Sequence, residues 1–131
     1  MIMEQPQSNP VETYLEGLSS RNERTAREAL DEMARRIRWK GSAKGKGKQS
    51  ALSAPWWELN QDDVRKVYDQ LSSGEWLSEV TGEPYAATGV NRFISALRGV
   101  LRQCWRQGMM PADTYLGAVS QLKTVPARVS R

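Results

Sequence analysis

Apolar residues recur at three- and four-residue spacing along most of the chain, and that period predicts helices. The clearest case is the stretch from Thr88 to Gly108. Val90, Phe93, Ile94, Leu97, Val100, Leu101 and Cys104 fall on one face of a helical wheel there. Thr88 is a fitting N-cap and Gly108 a fitting left-handed stop. A second helix is expected from about Arg21 to Arg38. Its stripe is Ala26, Ala29, Leu30, Met33 and Ile37, and Ser20 with Glu23 has the spacing of a capping box. A short helix precedes it, from Pro10 to Leu18, with Asn9 as cap and Pro10 at the first helical position. A further helix follows Asn60, with Asp62 and Asp63 in the first turn, where the helix dipole favours acids. It carries Val64, Val67, Tyr68 and Leu71 and ends near Ser72–Gly74. A fifth, shorter helix runs from about Pro111 to Leu122. Residues 75–87 read as a loop broken by Gly82 and Pro84. No alternating β-branched run is long enough for a strand.

The expected architecture is therefore all-α, a bundle of four to five helices over residues 10–122. A flexible N-terminus (residues 1–9) precedes it, and a linker (residues 123–131, with Pro126) follows. Between the second and third helices lies Lys40-Gly41-Ser42-Ala43-Lys44-Gly45-Lys46-Gly47-Lys48. Its composition predicts a flexible segment that does not pack.

The polar faces carry the chemistry. Opposite the apolar stripe of the longest helix stand Asn91, Arg92, Ser95, Arg98, Arg102 and Arg106, with Gly99 among them and no acid. Amphipathicity alone asks only for polarity, which glutamate supplies as well as arginine. Arginine in place of both points to an anionic partner, because its planar fork matches phosphate and guanine. Arg92 lies at the edge of this face and also suits a packing or cross-helix role. Gly99 costs about 1 kcal/mol relative to alanine in mid-helix. It is either an inexpensive surface residue or a point where DNA or another helix comes close. The second helix is mixed. Arg24, Arg27, Arg35 and Arg38 share its outer side with Asp31 and Glu28, so ordinary i,i+4 ion pairs are an equal explanation. Lys40, Lys44, Lys46 and Lys48 either follow a phosphate backbone or only solubilise a linker. Trp39, Trp56, Trp57, Trp76 and Trp105 sit beside helix ends, where packing is a commoner role than base stacking.

Composition narrows the chemistry. The chain has 131 residues, 39% hydrophobic and 26% charged, no histidine and one cysteine. That combination leaves no Ser–His or Cys–His pair, no intrachain disulfide and no metal-ligand set. There is no Gly-rich phosphate loop either, so an enzyme is not expected and no cofactor is implied. No apolar run reaches the ~20 residues of a membrane span, and the N-terminus lacks a signal-peptide pattern. A cytoplasmic location is the expectation. Charge is unevenly distributed. Residues 20–48 hold ten bases against four acids, and residues 85–131 hold seven against one. Residues 49–84, between them, hold two bases against seven acids. Two basic blocks of this kind attract polyanions.

The segment Thr88, Asn91-Arg92, Ser95-Ala96-Leu97-Arg98 and Arg102, continuing through Cys104-Trp105 to Gly108-Met109-Met110, resembles one helix of a known family. That family is the core-binding domains of tyrosine recombinases, the N-terminal halves of Xer-type recombinases and of phage or integron integrases. Tyr14-Leu15 with Arg24-Thr25-Ala26-Arg27, Trp57 to Val64, and Leu122 to Val125 resemble other family segments in the family order. Residues 10–126 are covered, with moderate specificity in the Thr88–Arg102 motif and little in the others. The resemblance implies a SAM-like helical domain forming half of a clamp on duplex DNA beside the strand-exchange site. It implies a tetrameric parent on DNA and a catalytic domain of the same parent as partner. It also implies a bacterial or mobile-element source. Arg24, Thr25, Arg27, Asn91, Arg92, Ser95, Arg98 and Arg102 would be DNA contacts, with Lys44 and Lys46 of the loop added by charge. The Lys/Gly segment is longer than the family pattern. The family's catalytic arginines, lysine, histidine and tyrosine have no counterpart here, so a fragment or truncated product is expected. Two alternatives stand beside this reading. One is a small stand-alone DNA-binding regulator, disfavoured by the lack of a tight helix-turn-helix unit. The other is a helical interaction module that docks an acidic partner.

Overall fold

The computed structural model describes residues 9–123. The described chain is all-helical, with α1 (Pro10–Glu16), α2 (Ser20–Arg36), a 3-10 turn (Trp56–Glu58), α3 (Gln61–Ser72), α4 (Ala87–Arg106) and α5 (Ala112–Val119). A single β-bridge, Leu77 with Pro84, closes the loop between α3 and α4. The expected N-terminal segment 1–9, apart from Asn9, and the expected linker 123–131, apart from Lys123, lie outside the described residues. No helix among them is long and apolar enough to cross a membrane.

The axis of the domain is α4. It packs most extensively against α2, and α1, α5, α3 and the 3-10 turn also lie against it. The apolar stripe of α4 is its buried face: Val90, Phe93, Ile94, Leu97, Val100, Leu101 and Cys104 are all buried. They meet Leu30 and Met33 of α2, Val11 and Leu15 of α1, and Val64 and Leu71 of α3 in one core. Burial pushes the Cys104 thiol up to about 12, so it acts as a small hydrophobe with little thiolate character.

The helix starts show how local chemistry selected among neighbouring caps. Asn9 accepts from Val11 N–H with Pro10 in the first turn, as its sequence predicts. Asn60 caps α3 and Asp63 reaches back to the Asn60 N–H, a full capping box. At α2 the cap is Ser19 rather than Ser20. With Ser19 as cap the capping-box position falls on Asn22, and Glu23, one residue later, pairs with Arg27 at 2.8 Å. At α4 the helix begins before Thr88, at Ala87, with no side-chain cap. Tyr85, just ahead, is already anchored: its ring stands edge-on to Phe93 and its hydroxyl donates to Glu32. Gly108 does end α4 at φ 75°, and Met109 N–H returns to the Cys104 carbonyl at 2.9 Å.

The Lys/Gly segment is the main correction to the sequence expectation. It is a tied turn, not an unpacked linker. Ala43 is buried, Ser42 N–H donates to Glu58 Oε1 at 3.0 Å, and Lys44 and Lys46 N–H close on Gly41 and Ala43 carbonyls. Just beyond it, Ala51 N–H donates to Asp31 of α2 at 2.7 Å. One apolar residue and one carboxylate acceptor suffice to hold a short glycine-rich stretch.

The loop before α4 is clasped to α2 by charge. Arg36 bridges Glu32 at 3.1 Å, donates to the Leu77 carbonyl at 2.6 Å and lies over the Trp76 ring. Partial burial, then the Glu32 hydrogen bond, pushes Tyr85 up to about 12. A folded-state pKa above the ordinary value of 10 means the neutral phenol is favoured by folding. Its contribution is complete below pH 10 and disappears as pH rises toward 12. Urea midpoints measured between pH 9 and 12 should therefore fall less steeply in Tyr85→Phe than in the parent chain. Identical slopes would mean that the clasp does not stabilise the fold.

Candidate nucleic-acid interface

Gly99 illustrates how this surface is built. A Cβ there would run into the ring of Tyr14 from α1. The close approach that the sequence left open is made by that half-buried ring, not by a foreign backbone. Gly99→Ala is expected to lower stability by up to about 2 kcal/mol, because overpacking of about 1–3 kcal/mol is set against a helix-propensity gain of about 1. In a Tyr14→Ala background the same change should turn neutral or stabilising. Thermal melts of the four proteins decide this, and a stabilising Gly99→Ala in the parent would refute the contact.

Tyr14 also forms one wall of an open groove of about 540 Å3 between α1, α2 and α4. Its floor is apolar (Leu18, Ala26 and Ala96) and its rim polar: Asn22 and Thr25 from α2, Thr88, Asn91, Arg92 and Ser95 from α4. Thr25, Asn91, Arg92 and Ser95 of the sequence-derived candidates thus converge on one groove. Helix geometry explains it. Asn22 and Thr25 are three apart on α2, and Thr88, Asn91 and Ser95 follow the three- and four-residue spacing of α4. Asn22, Thr88 and Tyr14 were not among the candidates. Asn22 could have been added from its spacing to Thr25, whereas Tyr14 needed the tertiary contact.

The remaining candidates divide. Arg102 is exposed on the outer face of α4, and Arg106 continues the line. Arg98 is exposed but committed, since its guanidinium donates to the Leu122 carbonyl beyond α5. Arg92 stands between the groove and a neighbouring one carrying Glu28, Glu32 and Glu79, the edge position its wheel angle indicates. On α2, Arg24 is exposed and points outward, but Arg27 does not join Thr25. It turns toward Glu12, Glu16 and Glu23, pairing with Glu23; that hydrogen bond raises its pKa. Lys44 and Lys46 are exposed on the tied turn, away from the groove.

The electrostatic contrast is sharp. The described ion pairs are Arg27–Glu23, Arg35–Glu79, Arg36–Glu32 and Lys40–Asp63. They use cations of α2 and of the stretch after it, and none uses a cation of α4. From Pro84 to Ala112 the chain has no acid. Arg102 and Arg106 therefore project into solvent without a carboxylate partner among the described residues, whereas Arg98 is held by the Leu122 carbonyl and Arg92 lines the groove that carries Glu28, Glu32 and Glu79. At the end of this face Trp105 is 39% exposed and stacks flat on Tyr115, with ring centroids 4.9 Å apart.

Comparison with protein-family models, with curated proteins and with solved structures returns no match. No group of histidine, cysteine, aspartate and glutamate among the described residues could hold a metal ion.

Proposed function

We propose that this chain binds duplex DNA through the outer face of α4, as a core-binding module of the kind that tyrosine recombinases and phage-type integrases carry. One observation carries the reading: beyond Ser95 on the rim of the groove, Arg102 and Arg106 follow on α4 as exposed cations with no ion pair among the described residues, on a helix that holds no acid. Such a face has arginine forks to offer to phosphate oxygens or guanine edges, with Glu28, Glu32 and Glu79 set in the neighbouring groove at Arg92. Ser95, Thr25, Asn22 and Asn91 supply neutral hydrogen-bonding groups beside it, suited to fixing register on a backbone. The fold reading that accompanies this is a SAM-like arrangement, supported by the sequence motif on α4 and the packing of α1, α2 and α5 around it. Strand cleavage and tetramer assembly belong, in this reading, to the parent recombinase and its catalytic domain.

Fluorescence anisotropy with a labelled duplex of roughly 30 base pairs, titrated across salt, tests it. Contact with four to six phosphates predicts log K falling against log salt with a slope of about −4 to −5. A folded chain that ignores DNA at low salt but binds an acidic polypeptide would instead establish the interaction-module alternative.

A further inference from the structure

A second cationic surface lies at the other end of α2. Arg38, Lys40 and Lys66 line a groove with Asp63 and Gln70 between the end of α2 and α3. An adjoining groove shares Arg38, Lys40 and Asp63 and runs on to Gly41 and Glu58, where the tied turn with Lys44, Lys46 and Lys48 begins. Two acids, Glu58 and Asp63, share these grooves and are tied into the fold. Glu58 accepts from Ser42 N–H, Asp63 Oδ2 accepts from Asn60 N–H, and Asp63 Oδ1 stands 3.6 Å from Lys40 Nζ. Arg38, Lys44, Lys46, Lys48 and Lys66 have no ion pair among the described residues.

The backbone of the turn suits the same ligand. Gly45 and Gly47 alternate with the lysines at φ 75° and 82°, and a Cβ at either would meet nothing. These glycines are needed for their left-handed conformation, not for space. A purely solubilising linker needs no buried Ala43 and no tie to Glu58. Like charges carried on a fixed turn repel one another, and a bound anion relieves that repulsion.

We infer that Arg38, Lys66 and the Lys44–Lys48 turn form a second, sequence-independent site for the phosphate backbone of duplex DNA. It is separate from the α4 face. Arg36, the last residue of α2, lies about 16 Å along the axis from Thr25 at about 1.5 Å per residue, and Arg38 lies past that end. This inference rests on the DNA-binding reading but uses none of the α4 residues.

The test compares salt slopes for the roughly 30-base-pair duplex among four proteins with matched circular dichroism and melting temperature. They are the parent chain, Lys44→Ala/Lys46→Ala/Lys48→Ala, the same three positions changed to arginine, and Arg102→Ala/Arg106→Ala. The lysine-to-alanine protein should show a slope shallower by about 2–3, at about 0.9 per lost phosphate contact, and the arginine version should keep the parent slope. An unchanged slope in the lysine-to-alanine protein, with a shallower one in the α4 protein, overturns the second site and leaves the α4 reading standing. The opposite pattern keeps the second site and overturns the α4 reading. A parent chain that does not bind, or slopes that neither set of substitutions moves, overturns both.

Discussion

Arg102→Ala combined with Arg106→Ala is expected to weaken duplex binding by one to several orders of magnitude while leaving the melting temperature within about a degree of the parent. Each guanidinium that reaches a base edge contributes about 1–3 kcal/mol, and each that meets a phosphate contributes about one unit of salt slope. Neither side chain has an ion pair or hydrogen bond among the described residues, so the folded state loses no intramolecular partner. These two are cleaner probes than Arg98. Arg98→Ala would also remove the donor to the Leu122 carbonyl, so loss of binding there mixes contact with a loosened end of α5. Paired anisotropy and calorimetry decide the matter. If the double variant binds as tightly as the parent, the α4 face is not where DNA docks.

Trp56→Ala is expected to be the most damaging single change to stability, about 3–5 kcal/mol from the truncation alone. Trp56 is fully buried in the 3-10 turn that lies against α4. Its indole stands edge-on to Trp39 at 5.5 Å, and its Nε1 donates to the Ala51 carbonyl at 2.8 Å. Removing it leaves a cavity and a carbonyl without its donor, which adds about 1 kcal/mol or more. Small domains are stable by only about 5–15 kcal/mol, so the variant should be largely unfolded well below the parent's urea midpoint. Trp57→Ala, next in sequence but half-buried, is the control and should lose much less. Equal losses at the two positions would show that the turn is not seated on the core as described.

How much of this was readable beforehand depended on the range of the interaction concerned. The face of α4 was legible because burying one side of a helix imposes a 3.6-residue period on the residue types themselves. An i,i+4 ion pair on α2 was expected in general, but Glu23 was assigned to a capping box with Ser20 and pairs with Arg27 instead. Starts of helices were legible to within a residue or two: the expected cap of α2 was Ser20 and the observed one is its neighbour Ser19. Trp56 could be assigned to packing but not ranked, since a three-residue turn has no period. The partners of Gly99 and Arg98 are Tyr14 and Leu122, far away in sequence, and no local pattern names them. The Lys/Gly turn was misjudged because composition weighed its glycines, whereas its conformation is set by Ala43 and by Glu58 from the next element. Spacing put Asn91, Arg92 and Ser95 on one side of α4 but did not bring them to the groove they share with Thr25 of α2. It could not see that Arg27 faces three glutamates on the other side of α2.

The central claim is that duplex DNA seats on the α4 face and the groove beside it. Amide chemical-shift mapping of the nitrogen-15-labelled chain, titrated with the duplex, tests this most directly. The account predicts that the largest changes cluster at Asn22, Thr25, Thr88, Asn91, Ser95, Arg102 and Arg106. Changes confined to Trp105, Tyr115 and Leu116, or spread evenly with no cluster on α4, would contradict it.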